Sequence, residues 1–333
     1  MQWTTIWINL KFLAPTFFKC FQTVFTMEFD NETNSFRDRS GVEIRIFDFG
    51  LFDGLLWEYL ELEEFQLYFQ QMGYSNGVNL HGAPYDFRRA VTMISDFTKN
   101  LTSVIEKTFL SNGNKRVYLI SHSTGGSMTL YFLNQQTQQW KDKYVAGWIS
   151  LSGNLAGEID NLPNVINGFL PLVFSQAART WDFYAWRLPE PIVYGNKIIV
   201  STSSKQYSSF NMSTLLTDMG AVELALVYPH LSTVLASLDP PNVNTWCFYG
   251  ANLSTPIGYV YANGLNEKPT SIINGMGDGE QDDLTNMSCE KWKETMDKKY
   301  EFAMQGFNGV KHTKLPADRN ILETISAIIR RNG

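Results

Sequence analysis

The stretch Arg116-Val117-Tyr118-Leu119-Ile120-Ser121-His122-Ser123-Thr124-Gly125-Gly126, continued by Ser127-Met128-Thr129-Leu130-Tyr131-Phe132-Leu133, is where the fold is decided. A short apolar run ends in small and polar residues, and a helical apolar pattern starts at once, which reads as strand, sharp turn and helix. Ser121 and Gly125 flank Ser123 two residues away on either side, because a tight elbow around a strained residue leaves no room for bulk. Such an elbow lifts the Ser123 hydroxyl clear of the sheet and aims the first amides of the helix at it. Ser123 is therefore read as a nucleophile. Ser121 stands where the Gly-x-Ser-x-Gly pattern has its first glycine, so the flanking strand and helix carry the assignment. The competing reading is an ordinary Ser/Gly-rich loop between buried elements. His122 points away from its neighbour and is not assumed to be the base.

Outward from the elbow, Thr92 to Phe109 reads as a helix, with Ser111-Asn112-Gly113-Asn114 as the turn into the central strand. The elbow helix is expected to run to about Trp140, and a strand to follow from Tyr144 to Leu151. Nearer the N-terminus, residues 1–29 are apolar in patches, with Pro15 able to start a helix, and Asn31 to Arg39 is a polar loop. Val42 to Phe47 alternates apolar and charged residues like a half-buried strand. Asp53-Gly54 marks a turn, Leu55 to Met72 a helix with Trp57, Leu60, Phe65 and Tyr68, and Gly77-Val78-Asn79-Leu80 a short strand. This alternation is that of a mostly parallel sheet with helices on both faces and right-handed crossovers.

The expected class is α/β, in the form of an α/β-hydrolase fold. Residues 1–151 and 242–333 would form its core. Residues 152–241 are interrupted at Gly153-Asn154, Asn161-Leu162-Pro163 and Pro189-Glu190-Pro191 and rich in aromatics from Phe174 to Trp186. They are expected to be a cap-like excursion lining a substrate site, the alternative being a second layer of core helices. Thr245 to Tyr249 resumes the sheet, and Pro256, Gly258 and Asn263-Gly264 mark turns and a small hairpin. Asn274-Gly275-Met276-Gly277-Asp278-Gly279 is a glycine-rich loop. A last helix spans roughly Arg319 to Arg331, with Asp318 near its start.

With 333 residues, 44% of them hydrophobic, the chain can bury a full core. Its 33 acidic and 27 basic residues give a net charge of -6 without a basic block, which argues against a nucleic-acid partner. Aromatics reach 14%, enough for some to meet a lipid or partner surface while most fill the core. Cys20, Cys247 and Cys289 match neither a zinc cluster nor a disulfide-dense scaffold. Sequons at Asn31-Glu32-Thr33, Asn100-Leu101-Thr102, Asn211-Met212-Ser213, Asn252-Leu253-Ser254 and Asn286-Met287-Ser288 together lean toward the secretory route. The N-terminus lacks the basic region and cleavage site of a signal peptide, and no transmembrane run stands out.

A serine nucleophile needs a base, and the base an orienting carboxylate. In the α/β-hydrolase order the acid and then the histidine follow the serine. Of His81, His122, His230 and His312, only His230 and His312 lie downstream. His312, in a loop just before the last helix, is favoured over His230, which follows Pro229 in the excursion. Asp278 between Gly277 and Gly279 can take a tight turn at a strand end, with Asp282 and Asp283 as alternatives. The same acidic run also reads as a solvated loop, and it does not match EF-hand spacing.

Several blocks in order resemble the lecithin:cholesterol acyltransferase family. They are Gly41-Val42-Glu43-Ile44-Arg45, Gly82-Ala83-Pro84-Tyr85-Asp86-Phe87-Arg88-Arg89, Tyr131-Phe132-Leu133 with Trp140-Lys141-Asp142-Lys143-Tyr144, Ser254-Thr255-Pro256 with Tyr259 or Tyr261, Gly277-Asp278-Gly279, Cys289 with Trp292, and His312. Within the family the chain looks most similar to the lysosomal phospholipase A2 and 1-O-acylceramide synthase branch. The resemblance implies Ser123 as nucleophile, Asp278 as acid, His312 as base and the backbone of Thr124 as an oxyanion donor. It implies a Cys247–Cys289 disulfide with Cys20 free, and it makes Trp186, Leu155 and Tyr85 candidates for the substrate pocket.

The implied activity is transfer of an acyl group from a glycerophospholipid to water or to a lipid alcohol, either a sterol or ceramide. The implied partners are a phospholipid membrane or lipoprotein surface, and the implied location is lysosomal or secreted. This chemistry requires no metal or other cofactor. The family also has an N-terminal segment with an oxyanion strand and a membrane-contacting loop, neither of which is evident here. The chain therefore looks like a family member lacking its N-terminal part, with His81-Gly82 a poor substitute for the second oxyanion donor. Further departures are Phe47-Asp48-Phe49-Gly50, Glu280 and Gly153-Asn154-Leu155-Ala156-Gly157. Two other readings are a catalytically impaired lipid-binding remnant and a plain cytosolic esterase with unused sequons.

Overall fold

Val145-Ala146-Gly147-Trp148-Ile149-Ser150-Leu151 is a strand buried at every position, as expected of a strand covered on both faces. It belongs to a computed structural model that describes residues 17–46, 49–52, 62–94, 96–167 and 177–332. The described strands are β1 (Glu28–Asp30), β2 (Ser35–Arg37), β3 (Val117–His122), β4 (Val145–Leu151), β5 (Ile198–Thr202), β6 (Gln206–Ser208), β7 (Thr245–Ala251), β8 (Leu253–Tyr261), β9 (Ser271–Gly277) and β10 (Phe302–Asn308). The helices ahead of β4 are α1 (Phe18–Phe25), α2 (Leu62–Gln71), α3 (Phe97–Ser111), α4 (Thr124–Gln135) and α5 (Gln138–Tyr144).

The central sheet runs β10-β7-β4-β3 with every neighbouring pair parallel. Parallel neighbours need long crossovers, and the helices that make them cover both faces. The period-two alternation of β4 and β7 divides their side chains between two apolar clusters. Trp148 and Cys247 join the cluster that holds Met128, Leu130 and Phe132 of α4. Ile149, Leu151, Trp246 and Phe248 join Phe65 and Phe69 of α2 and Ile321, Leu322, Ile325 and Ile328 of the terminal helix Arg319–Asn332. The protein is thus an α/β fold with a largely parallel sheet between helical layers, in the α/β-hydrolase arrangement.

A second sheet, β6-β5-β8-β9, pairs β5 with β8 in parallel and its other neighbours antiparallel. It joins the 152–241 stretch to chain beyond residue 241, so the expected excursion shares its hydrogen bonds with the segment that carries Asp278.

Local pattern misleads in several places. Val42 to Arg45 keeps the expected alternation of burial, but Ile46 is exposed and the stretch forms no strand, because no partner lies beside it among the described residues. Gly77 to Leu80 is a turn, with the Ser75 carbonyl accepting from the amides of 78, 79 and 80. Residues 31–39 contain half of a small hairpin, turned at Asn34 with φ of 48°. The helix expected from Thr92 begins only at Phe97. The elbow helix stops at Gln135, and the Thr137 hydroxyl accepts from Trp140 N to start α5. Residues 274–277 of the expected glycine-rich loop belong to strand β9, Ser271–Gly277. The apolar residues 1–16, the Asp53-Gly54 turn, the first part of the 55–72 helix with Trp57 and Leu60, Phe47-Asp48 and the start of the aromatic run at Phe174 lie outside the described residues.

Among the described residues no helix is long and apolar enough to cross a membrane. The Asn286 sequon is closed in the folded chain, since Asn286 is buried and its side-chain amide donates to the Gln281 carbonyl. Cys247 of β7 is bonded to Cys289, both buried, and Cys20 is exposed and free. The bond spans 42 residues and encloses β8, β9 and Asp278. In the loop-entropy account a closure of that length stabilises by about 4 kcal/mol. The double variant Cys247→Ser, Cys289→Ser should lose that order of stability in urea unfolding while Cys20→Ser stays within about 0.5 kcal/mol.

Candidate active site

β3 ends at His122, and Ser123 follows with φ of 55° and ψ of −130°. A non-glycine residue adopts this conformation only when its surroundings enforce it. Here the Ser123 amide donates to the Leu151 carbonyl at 3.0 Å, and its own carbonyl accepts from Gly126 N at 2.8 Å and Asn154 N at 3.0 Å. Thr124 opens α4, so its amide belongs to the first helical turn, where donors have no intrahelical partner. Ser121 has a further use for its hydroxyl, which accepts from the indole of buried Trp148 at 2.8 Å.

Asp278 follows β9 directly and is fully buried. One carboxylate oxygen accepts from the amides of Glu280 and Gln281 at 3.1 and 2.7 Å. The other accepts from His312 Nδ1 at 2.8 Å, while the His312 amide donates to the Asp278 carbonyl at 2.9 Å. With Nδ1 as donor, Nε2 of a neutral His312 is the free base. The close approach of these loops requires Gly250, because a Cβ there would lie 2.2 Å from the Val310 carbonyl oxygen and 2.8 Å from Asp278 Cβ.

His122 packs its ring against His312 at 4.7 Å between centroids and hydrogen-bonds through Nε2 to the His312 carbonyl at 2.9 Å. Burial, with the charge of His312, pushes His122 down to about 3, so it stays neutral and Nε2 is the donor. Its contact with His312 brings the adjacent Ser123 to the same end of the sheet as the Asp278–His312 pair.

The alternatives are placed elsewhere. His230 is exposed on the helix Val222–Leu231. His81 Nδ1 bonds the Gly50 carbonyl, and the Gly82 backbone packs on Leu51. Asp282 caps the short helix Asp283–Asn286 and holds Tyr194 and Lys197. Of the pocket candidates, Leu155 and Trp186 are buried in the larger core cluster, and Tyr85 lies edge-on to Phe97.

Sequence reading missed a group of half-buried and buried carboxyls near the pair. Burial outweighs the other influences and raises Glu158 to about 7, Asp160 to about 6 and, further along, Glu190 to about 8. Burial also pulls His312 down, but the hydrogen bond and charge of Asp278, then Glu280 and Glu158, leave it raised. Asp278 itself is held low, since His312 and the Gln281 amide outweigh its burial. No periodicity marks such residues, because each reads as an ordinary surface charge until the tertiary fold covers it.

A largely parallel sheet with a strand–serine–helix elbow at its carboxyl end defines a protein of the α/β-hydrolase class. A model of the lecithin:cholesterol acyltransferase family matches residues 3–177, so the chain belongs to that family. It is 29% identical over 304 residues to lecithin-cholesterol acyltransferase-like 1 of Arabidopsis thaliana, covering 83% of this chain and 70% of that protein. It is 27% identical to the lysosomal phospholipase A and acyltransferase of Homo sapiens, covering 98% of this chain and 82% of that one. Against the phosphatidylcholine-sterol acyltransferase of Gallus gallus the identity is 27%, covering 93% and 78%. Family and fold together support a hydrolytic or group-transferring function of the α/β-hydrolase superfamily.

Two expectations follow from the electrostatics. The Glu280 carboxylate lies 3.9 Å from His312 Nε2, and its charge favours the imidazolium. Glu280→Gln should therefore move the acid limb of kcat/KM for a soluble ester to lower pH. Stability should also depend on pH. Glu158, Asp160, Asp182 and Glu190 keep protons in the folded state at pH values where unfolded carboxyls have shed them. A folded state that binds more protons gains stability as pH falls, and raised His312 acts in the same direction. Buried neutral His122 opposes them as one group against several. The melting temperature should rise as pH is lowered from 7.5 to 5.

Proposed function

We propose that this chain is a serine-dependent acyl hydrolase and O-acyltransferase acting on the acyl esters of glycerophospholipids. The observation that carries the reading is buried His312, held by Asp278 through Nδ1 and by His122 through its carbonyl, at the sheet end where strained Ser123 emerges. In this mechanism Ser123 Oγ attacks the ester carbonyl and its proton passes to His312 Nε2. Asp278 fixes the imidazole tautomer and balances the imidazolium. The Thr124 amide stabilises the oxyanion, a role in which one donor is typically worth about 2.7–4 kcal/mol. Collapse of the tetrahedral intermediate breaks the ester bond, and His312 returns the proton to the departing lysolipid alkoxide. Water or a lipid alcohol then gives its proton to His312 and attacks the acyl-serine, and as that intermediate collapses His312 returns the proton to the departing Ser123 Oγ.

The relatives' names support the substrate class, as one is a phospholipase A and acyltransferase and another transfers from phosphatidylcholine to a sterol. In this reading the enzyme works at a phospholipid membrane or lipoprotein surface with a sterol or ceramide as acceptor, and the sterol acyltransferase among the relatives supports the first of these acceptors. Lysosomal or secreted placement is favoured by the lysosomal relatives and by a disulfide, which persists in oxidising compartments.

The test is release of fatty acid from phosphatidylcholine–ceramide liposomes at pH 4.5 and 7.5. Ser123→Ala should lower release at least about 10³-fold without changing the melting temperature by more than a few degrees. Acylceramide beside free fatty acid would identify the acceptor. Equal release by wild type and Ser123→Ala, both folded, overturns the proposal.

A further inference from the structure

Arg187 follows the short helix Asp182–Trp186 and is buried, an unusual place for a guanidinium. Its Nη2 donates both to the Asn154 carbonyl and to the Asn154 side-chain oxygen. Asn154 is fully buried, and its carbonyl also accepts from the Ser127 hydroxyl of α4. The Asn154 amide in turn donates to the Ser123 carbonyl at 3.0 Å. A chain of hydrogen bonds therefore runs from a charged side chain in the 152–241 stretch to the backbone of the strained serine.

The surrounding geometry makes residue 154 a sensitive point. Ser152 has φ of 40°, so the loop leaving β4 is strained like the elbow it touches. Gly153 is pressed against the elbow helix, and a Cβ on Gly126 would lie 2.5 Å from Gly153 Cα. Close contact alone leaves the loop free to slide, whereas the two N–H groups of Arg187 Nη2 fix both acceptors of Asn154 at once. The charge persists across the working range, since burial draws Arg187 only down to about 10. Glu158 and Glu190 lie in its field, and both are raised enough to be largely neutral in mild acid, where Asn154 remains its hydrogen-bond partner among the described residues.

We propose that Arg187 is a positioning residue, which holds Asn154 so that Asn154 keeps Ser123 in its reactive conformation. This rests on the reading of Ser123 as the nucleophile. Among the described residues the hydrogen bonds of Arg187 lead to the reacting serine through Asn154, and its other link to the site is the field it shares with Glu158. Its role is thus to set how often the serine is presented correctly rather than to bind substrate. Displacement of a reacting group by about 1 Å can lower turnover by ~100-fold.

The fold should survive the test. Backbone bonds from Glu158 N to Arg187 O at 3.1 Å and from Glu190 N to Ala156 O at 2.9 Å hold the two segments together independently of the side chain. The experiment compares wild type, Arg187→Met, Arg187→Lys and Asn154→Ala. Each is assayed for covalent labelling of Ser123 by a fluorophosphonate and for hydrolysis of a short, soluble nitrophenyl ester, per folded molecule. Arg187→Met should lower kcat and the labelling rate together by about 10–100-fold with KM within about twofold, and Arg187→Lys should recover part of the loss. Asn154→Ala keeps the amide to Ser123 but removes one acceptor, and should lose several-fold in both rates.

Folded Arg187→Met labelled at the wild-type rate overturns the inference while leaving Ser123 as nucleophile. If Arg187→Met does not fold, wild-type rates in both Arg187→Lys and Asn154→Ala overturn it equally. A wild-type protein that takes no label at Ser123 overturns the reading of the serine and this inference with it.

Discussion

Three backbone hydrogen bonds keep Ser123 in the left-handed region, and the rest of the architecture can be read as what brings their partners into place. The Leu151 carbonyl is in reach only because β3 and β4 run parallel in register, with Ser121 opposite Ser150 and His122 opposite Leu151. The Gly126 amide is in reach because α4 starts directly after the serine. The Asn154 amide requires the loop after β4 to fold back onto the elbow, which the glycines at 126 and 153 permit by leaving room for backbone against backbone. Strain at one residue is thus held by a sheet register, a helix start and a loop packing, each of which is stable for its own reasons.

The acid–base pair reaches the same place by a different path. Asp278 is carried by β9 of the second sheet, whereas His312 follows β10 of the first. The two sheets meet where Gly250 of β7 leaves space for Val310 and Asp278. The Cys247–Cys289 bond ties that same strand to the segment just beyond Asp278. Burial around the pair turns charges that would be unremarkable in water into the dominant local influence. Asp278 is the clear case, and partly exposed Glu280 adds a weaker influence once its turn closes 3.9 Å from the imidazole.

The parts of the fold and site that could be read in the chain are those set by local covalent and steric rules. An elbow between an apolar strand and a helix has few sequence solutions, so Ser123 stood out although Ser121 replaces a glycine. Chain order then leaves His230 and His312 as candidates, and among the neighbouring aspartates Asp278, Asp282 and Asp283 the first is marked by its flanking glycines. Pairing was less legible. Val42 to Ile46 has a strand's pattern without a strand's partner, and Gly77 to Leu80 has apolar residues but the backbone of a turn. Strands β5, β6 and β10 carry no clear strand signal in the sequence, because such segments acquire strand character from the neighbours they meet.

What the sequence determined by itself, then, was the class of fold, the serine elbow and the small set of acids and bases able to serve it, because these follow from periodicity, small-residue spacing and order along the chain. Which Asp meets which His, that His122 supports His312 from behind, and that Arg187 is buried against Asn154 with Glu158 and Glu190 in its field were decided by the tertiary structure alone. The physical reason is that a hydrogen bond or a raised carboxyl pKa depends on distance and on the exclusion of water, and residues far apart in the chain acquire both only when the sheets and helices close around them.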